Sequence, residues 1–447
     1  MKNVVTALLC LCMSVISLPA FAANFYEDPA TGQIFTKPAD GRNKVELPAS
    51  IGALYQDADT GAVFTKPADG RVAVEAPAAP AAVASSVKKE DVLAALPEWM
   101  QKIKISGDFR LRDQWEDIKG KPVSSSDQSR NRERIRLRVG ADIDVTKTVK
   151  VSMGLATGAA NDPRSTMQTL DSSFAKKVFN LDYAYATWTP LQYVALSGGK
   201  MKNPLYNAGS DLIWDTDIRP EGVAVAANYP VLGVNTFFNG EFLVLEEGRA
   251  AGRNANMFVL QPGAEFKVTK DLFVKAAGSY YGYQGLKGNV PLTGSRASSN
   301  TLVGGKYKFN FTALSAAGEI GYRTGFGMVP FVGAFGEYIQ NISANVPGGN
   351  DKASLYGVKV GYEKIVNTGD WSLRLYSRRL EKDAVPSIFP DADVFNGDTA
   401  SKGSEAEFIF GLMKNVNFSL NWNDSRRFAG TNQKRQNILQ ADLNYRF

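Results

Sequence analysis

A strict alternation of apolar and charged residues between residues 131 and 145 is the strongest constraint on the fold. Successive side chains of a β-strand point to opposite faces, so the pattern predicts a strand with one apolar face and one charged face. The apolar face comprises Ile135, Leu137, Val139, Ala141, Ile143 and Val145, and the charged face comprises Arg132, Arg134, Arg136, Arg138, Asp142 and Asp144. Such a strand must place its apolar face against lipid or against a second sheet.

The alternation recurs to the end of the chain, and sixteen such runs can be counted over residues 102–447. Tight turns and long polar loops connect them alternately, as in transmembrane antiparallel β-barrels. We therefore predict an all-β fold, an outer-membrane barrel of about sixteen strands, and prefer it to a soluble sandwich because the pattern persists to the C-terminus. The tenth run, residues 302–322, is too long for one simple strand, so fourteen or eighteen strands remain alternatives.

Composition excludes several classes of function. The sequence contains no histidine, which rules out Ser-His-Asp and Cys-His catalysis and histidine-ligated zinc or haem. No CxxCH motif for c-type haem is present. After the N-terminal segment, no run approaches the ~18 apolar residues of a transmembrane helix. We expect no enzyme activity, no cofactor and no metal site.

Residues 1–22 have the features of a secretory signal peptide. Lys2 supplies a positive start, an apolar stretch follows, and Ala20-Phe21-Ala22 resembles a cleavage site. A transmembrane anchor is less favoured because the apolar stretch is shorter than the ~20 residues needed to span a bilayer. We expect cleavage after Ala22 and export to the outer membrane of a Gram-negative bacterium.

Residues 23–79 contain a duplication. The segment YEDPATGQIFTKPADGRNKVELP, residues 26–48, recurs at 55–77 with a period of 29 residues. Turn signals in each copy predict a short hairpin followed by a turn. Copies of this size bury little core, so we expect small modules that act as a periplasmic spacer or contact peptidoglycan or a periplasmic partner. Residues 80–101 are predicted to be a linker and a short helix over 87–100.

Two segments carry resemblances to known proteins. The last eleven residues, NILQADLNYRF, resemble the closing strand of Gram-negative outer-membrane barrels, which implies that Tyr445 and Phe447 belong to the signal recognised by the assembly machinery. Residues 198–225, with WDTDIRPEGV, resemble the bacterial "putative porin" family, as do LPEW and GDFRLR between residues 96 and 112. This second resemblance extends over residues 90–447 and implies passive diffusion of small solutes.

The charged strand faces predict the chemistry of the lumen. Guanidinium groups on neighbouring strands repel one another unless carboxylates, water or permeating anions screen them, so a basic wall favours a wet, weakly anion-selective pore. The alternative is that carboxylates such as Asp108, Asp142 and Asp144 neutralise the arginines across strands. The candidate basic wall is Arg110, Arg112, Arg132, Arg134, Arg136, Arg138, Arg374 and Arg378.

Residues 202–220 are predicted to form the third external loop. They carry Asp211, Asp215 and Asp217, with Glu221 just beyond. In trimeric general porins the third loop folds inward and sets acidic groups against an arginine ladder, so by analogy these carboxylates are candidate constriction residues. The alternative is that Trp214 and its neighbours pin a surface loop.

Together these features predict a porin, a water-filled channel for small hydrophilic solutes and ions. The expected partners are outer-membrane lipid, the barrel-assembly machinery and small solutes; a homotrimer and a peptidoglycan contact are left open. The main alternative is a barrel that serves as a structural sleeve or docking platform for periplasmic or surface partners such as electron-transfer proteins. A free aqueous path favours the porin, whereas a lumen shaped to receive another protein favours the sleeve.

Overall fold

The structure is a computed structural model. It describes residues 25–29, 34–35, 43–45, 54–57, 63–64, 69, 71–74, 98–119, 129–209, 211–248, 254–292, 298–428 and 434–447. The predicted signal peptide and most of the predicted linker and helix lie outside the described residues. The chain divides into two compact units, residues 1–96 and 97–447. Within the described part of the chain, no helix is long and apolar enough to cross a membrane.

The first unit contains six short strands: β1 (Phe25–Glu27), β2 (Ile34–Phe35), β3 (Asn43–Val45), β4 (Leu54–Asp57), β5 (Val63–Phe64) and β6 (Arg71–Val74). They form two antiparallel sheets of the same topology, β2-β1-β3 and β5-β4-β6. Equivalent positions are register partners in the two sheets, Tyr26 with Phe35 and Tyr55 with Phe64. The sequence repeat is therefore a structural repeat, in which a third strand returns beside the predicted hairpin.

The second unit starts with a short helix, α1 (Glu98–Gln101). The strands that follow are β7 (Ile103–Lys119), β8 (Arg130–Asp144), β9 (Val149–Thr157), β10 (Gln168–Thr169), β11 (Phe179–Leu191), β12 (Val194–Lys200), β13 (Glu221–Val231), β14 (Val234–Glu246), β15 (Ala255–Lys267), β16 (Leu272–Gln284), β17 (Leu302–Val303), β18 (Lys306–Tyr307), β19 (Ala313–Arg323), β20 (Phe331–Asn341), β21 (Lys352–Gly361), β22 (Trp371–Leu380), β23 (Ser401–Met413), β24 (Val416–Arg427) and β25 (Arg435–Arg446), with a 3-10 turn at Phe395–Gly397 before β23.

Sixteen of these strands form a closed antiparallel barrel in sequence order. The last strand, β25, pairs with the first, β7, and so closes the sheet. The remaining three are short: β10 adds to the edge of β8, and β17 and β18 form a separate hairpin. Closure leaves no barrel strand with an unpaired edge, as a membrane-spanning sheet requires.

The predicted sixteen strands are confirmed, but the tenth run was too long. Residues 302–322 divide into the β17-β18 hairpin and the barrel strand β19, which begins at Ala313. The hairpin reverses at Gly304 and Gly305, whose φ angles of 56° and 76° lie in the left-handed region that glycine adopts without strain. Alternation alone did not reveal this reversal, because Tyr307, Phe309 and Phe311 alternate with polar residues between the hairpin and β19 and so extend the pattern.

Connections alternate between short and long, which defines a turn end and a loop end of the barrel. The eight long connections are residues 120–129, 158–178, 201–220, 247–254, 285–312, 342–351, 381–400 and 428–434. The third, residues 201–220, is the predicted third external loop. Short turns at one end and long loops at the other are typical of transmembrane barrels, whose turns face the periplasm.

The outward barrel face is apolar, with exposed side chains such as Leu111, Phe258 and Leu314. The buried apolar core lies inside the barrel. It is a cluster in which Leu212 and Trp214 of the third long loop, and Phe389 of the seventh, pack against strands β13–β16 and β19–β22. We call this cluster the apolar plug; because its strand residues stand near the long connections, it fills one side of the lumen at the loop end.

Candidate functional site

A cavity of about 1140 Å³ occupies the turn end of the lumen, and we call it the vestibule. Its wall includes Ser106, Ser372 and Phe447, which stand near the turn ends of β7, β22 and β25. Nine basic side chains and six acidic side chains line it. The vestibule therefore carries an excess of positive side-chain charge.

The predicted basic wall lies inside the barrel but does not form one surface. Its members fall into three groups. The vestibule is lined by Arg110, Arg136, Arg138 and Arg374. A smaller cavity at the loop end is lined by Arg132 and Arg134, and the residues buried in the protein are Arg112 and Arg378.

Carboxylates contact several of these arginines. Asp108 on β7 accepts hydrogen bonds from Nε of Arg136 at 2.9 Å and from Nε of Arg138 at 2.7 Å. Arg112 donates to both carboxylate oxygens of Asp442, at 2.7 and 2.9 Å. A bidentate ion pair of this kind fixes both side chains and compensates most of the guanidinium charge.

Cross-strand neutralisation, the alternative considered from sequence, thus holds for Asp108. The other two carboxylates named for it have different partners. Asp142 accepts a hydrogen bond from Ser152 at 2.6 Å, and Asp144 lies 3.2 Å from the ammonium of Lys104. Both lie near the turn end of β8, beyond the run of arginines.

Two of the three arginines of β22, Arg374 and Arg378, reach the long loops that fold into the lumen. Nη1 of Arg374 donates to Glu407 at 3.0 Å, and its Nη2 donates to the carbonyl of Gly209 in the third long loop at 2.6 Å. Nη1 of Arg378 lies 3.3 Å from Asp391 in the seventh long loop. Both arginines therefore attach a loop to the barrel wall.

Asp217 of the third long loop lies on the vestibule wall. It accepts a hydrogen bond from Arg138 Nη1 at 3.2 Å and two from Thr166, through the backbone N–H at 3.1 Å and the hydroxyl at 3.0 Å. Burial raises the pKa of Asp217, but Arg138 and Arg136 more than offset this and hold it below its usual range. Asp217 is therefore an ionised group directly opposed to the arginines of β8.

Asp215 and Asp211 join the two loops and do not line the vestibule. Asp215 accepts backbone hydrogen bonds from Asp217 at 2.9 Å and from Ala392 of the seventh loop at 3.0 Å. Burial and the neighbouring Asp217 raise the pKa of Asp215 well above its usual range. Asp211 lies 3.8 Å from Nη1 of Arg378, and burial likewise raises its pKa.

Glu221 lies apart from the other predicted acidic residues. It is the first residue of β13 and is exposed. Its carboxylate accepts a hydrogen bond from the ammonium of Lys200, its register partner on β12, at 2.9 Å. The four predicted constriction residues therefore occupy different environments, and only Asp217 faces the vestibule.

The seventh long loop folds inward and packs on the third. The ring centroids of Trp214 and Phe389 are 4.9 Å apart, and the N–H of Asp215 donates to the carbonyl of Phe389 at 2.7 Å. Asp393 of the same loop lies 3.6 Å from Arg112 and accepts a hydrogen bond from Gln440. Trp214 thus does pin its loop, but inside the lumen.

Three residues mark the boundary between the vestibule and a cavity of about 460 Å³ at the loop end. Asp182, Asp217 and Arg219 line both cavities. Nε of Arg219 donates to Asp182 at 3.2 Å. Solutes that cross between these cavities would pass an ion pair and the ionised Asp217.

The family model described as "putative porin" matches residues 114–318 and 307–447 of this sequence. The chain belongs to the putative porin family. Solved structures similar to this porin include two mutants of the porin of Rhodopseudomonas blastica; each has 10% sequence identity, covers 77% of this chain and 100% of its own, and has a TM-score of 0.43. No curated protein matches the sequence.

Charged lumen residues of this putative porin that were not singled out from its sequence include Asp182, Arg219, Asp391 and Asp393. Arg219 stands within the family-like stretch 198–225, which was the one available signal. Nothing in the strand alternation indicated that residues 381–400 fold inward. Among the described residues of this porin, no group of three or more His, Cys, Asp or Glu side chains has the geometry to hold a metal ion.

Proposed function

We propose that this chain is an outer-membrane channel for passive diffusion of small hydrophilic solutes and ions, with a weak preference for anions. The observation that carries the selectivity is the charge of the vestibule, nine basic against six acidic side chains. An excess of one sign of charge in a cavity with low-dielectric walls concentrates ions of the opposite sign.

The position of the apolar plug supports the same proposal. The plug covers the lumen side of β13–β16 and β19–β22 at the loop end. The path for water at this end therefore runs along the side formed by β7–β12 and β23–β25. The arginines of β7 and β8 stand on that side. Permeating ions would therefore pass close to them.

The sleeve hypothesis is less favoured, because the chain's own loops occupy the lumen. The third and seventh long loops are joined to each other and to the barrel wall through Asp215 and Arg378. The remaining vestibule of about 1140 Å³ suits small solutes and is far smaller than a protein domain.

Reversal potentials across a KCl gradient in planar bilayers test the proposal. We expect discrete channels with modest anion selectivity that fades as salt shortens the Debye length to ~3 Å at 1 M. The triple variant with Arg132, Arg134 and Arg136 changed to Glu should shift the reversal potential toward cations. Folded barrels without conductance would overturn the channel, whereas cation preference in the unmodified protein would assign control to Asp217 and its neighbours.

A further inference from the structure

Four arginines surround the smallest of the three cavities described, the cavity of about 210 Å³ at the loop end that Arg132 and Arg134 line. It lies where β7, β8 and β25 meet the second and seventh long loops, and we call it the arginine cavity. Three carboxylates also line it, so its side chains carry one excess positive charge. The basic residues are Arg130, Arg132, Arg134 and Arg164, and the acidic residues are Glu116, Asp162 and Asp393.

Two of the three carboxylates form ion pairs with arginines other than Arg134 and Arg164. Glu116 lies 2.6 Å from Arg130 and 3.5 Å from Arg132. Asp393 lies 3.6 Å from Arg112, outside the cavity wall, and accepts a hydrogen bond from Gln440 at 3.0 Å. Of the cavity's three carboxylates, Asp162, 3.7 Å from Nε of Arg164, is therefore the one left to the other two arginines.

Arg134 makes only neutral hydrogen bonds within the described residues. It donates to the side-chain oxygens of Gln114 at 2.9 Å and Ser165 at 3.4 Å and to the carbonyl of Met167 at 3.5 Å. Its Nε atom is buried and has no acceptor there. Among the described residues, this guanidinium therefore has no hydrogen bond to a carboxylate and has one unused donor.

Arg164 lines the same cavity and is fixed by the seventh long loop. It is only 6% exposed, and its Nη1 donates to the carbonyl of Ser387 at 3.0 Å. Its Nε is 3.7 Å from Asp162, beyond hydrogen-bond distance, and has no acceptor among the described residues. Gly397, with φ +80°, allows the loop to close over this guanidinium, since a Cβ there would collide with Nη1.

We propose that the arginine cavity binds small oxyanions of the phosphate or carboxylate type. Among the described residues, each of these two buried guanidiniums has an Nε donor without an acceptor, and neither donates a hydrogen bond to a carboxylate. An oxyanion would complete such a site, because charge-assisted hydrogen bonds to guanidinium are strong and directional. Burying such donors without acceptors costs free energy that the anion would recover. The inference deepens the proposed function, since it places an oxyanion site at the outer entrance of the channel.

Calorimetric titration of inorganic phosphate into the folded, detergent-solubilised full chain tests the site at fixed KCl concentration. We expect saturable binding in the unmodified protein and a loss of affinity of about tenfold or more in R134Q, equivalent to ~1.4 kcal/mol or more. R435Q is the matched control: Arg435 stands at the loop end of β25, is paired with Asp424, and does not line the cavity. Its phosphate affinity should equal that of the unmodified protein.

A second variant, G397A, should also weaken phosphate binding because it displaces the Arg164 side chain while leaving its charge in place. Heat-modifiable migration shows whether each variant folds, so loss of binding counts only in folded protein. Absence of saturable phosphate binding, or equal affinity in R134Q and R435Q, would overturn the site. Binding is measured without a membrane: a protein that conducts but does not bind phosphate refutes only the site, and one that binds but does not conduct refutes only the channel.

Discussion

At the scale of single residues, charged side chains in the lumen share their ion-pair partners. Asp108 serves two arginines, Arg136 and Arg138, and Arg138 also reaches Asp217. Each carboxylate therefore sets the local field for more than one guanidinium. This sharing explains why counting arginines in the sequence overstates the positive potential of the wall.

Removing the charge of Asp108 should make the electrostatic potential of the wall more positive. Among the described residues, Asp108 is the carboxylate with which Arg136 forms an ion pair. D108N removes that pair while Arg138 retains Asp217, so the reversal potential should move further toward anions. D271N is a suitable control, because Asp271 lies in a turn outside the vestibule and is 4.0 Å from its nearest ammonium, Lys270. An equal shift in both variants would show that net charge, and not the pair at β8, determines selectivity.

Proton binding by the loop carboxyls should make selectivity depend on pH. Burial, Asp211 and Asp393 raise the pKa of Asp391 well above its usual range, and that of Asp215 is raised as well. A carboxyl with a raised pKa takes up its proton at a higher pH than usual, so acidification removes negative charge and should strengthen anion preference. D391N should flatten the pH profile of the reversal potential; an unchanged profile would contradict this assignment.

At the scale of elements, the third and seventh long loops pack together inside the lumen and narrow it. Trp214 of the third loop is buried against Phe389 of the seventh, and both belong to the apolar plug. W214A removes a large buried side chain, a change that typically costs ~3–5 kcal/mol of packing. Because every barrel strand keeps its neighbours, we expect the plug to loosen while the barrel stays folded.

Single-channel conductance should therefore rise in W214A and become noisier. W188A is the matched control, since Trp188 is half exposed on the outward face of β11. The same conductance in W214A and W188A would mean that the plug does not limit the flow of ions.

The strands were predictable and the loops were not, for a physical reason. Lipid on one side and water on the other impose the period of two, which is why β8 was predicted at 131–145 and observed at Arg130–Asp144. Asp217 was found by analogy with the position of a loop. Asp391 and Asp393 belong to a loop whose contacts depend on shape and on partners far along the chain, such as Arg112, and such contacts leave no periodic trace in sequence.

At the scale of the whole molecule, the chain joins two units of different kinds. The duplicated three-stranded sheets supply no barrel strand, whereas β7–β25 close a barrel by themselves. Deleting residues 24–84 should therefore leave both heat-modifiable migration and single-channel conductance unchanged. Loss of the folded barrel in that variant would assign the repeats a scaffolding role.

Phe447 closes the seam of the barrel, and we predict that it also directs assembly. Phe447 exchanges two backbone hydrogen bonds with Gly107, of 2.9 and 3.0 Å, at the β25-β7 seam. A Cβ at Gly107 would collide with the Phe447 ring, so glycine at this position lets the ring lie across the seam.

Removing Phe447 costs these two hydrogen bonds, each worth ~1 kcal/mol net, against a barrel held by all its other strand pairs. We therefore expect the deletion to slow assembly strongly in cells but to lower the urea midpoint of the refolded barrel only slightly. G107A separates the roles, because it disturbs the seam and keeps the C-terminal aromatic: its urea midpoint should fall while its assembly rate stays nearer that of the unmodified chain. If G107A and the deletion slow assembly equally, closure of the seam, and not recognition of the terminal aromatic, limits the rate.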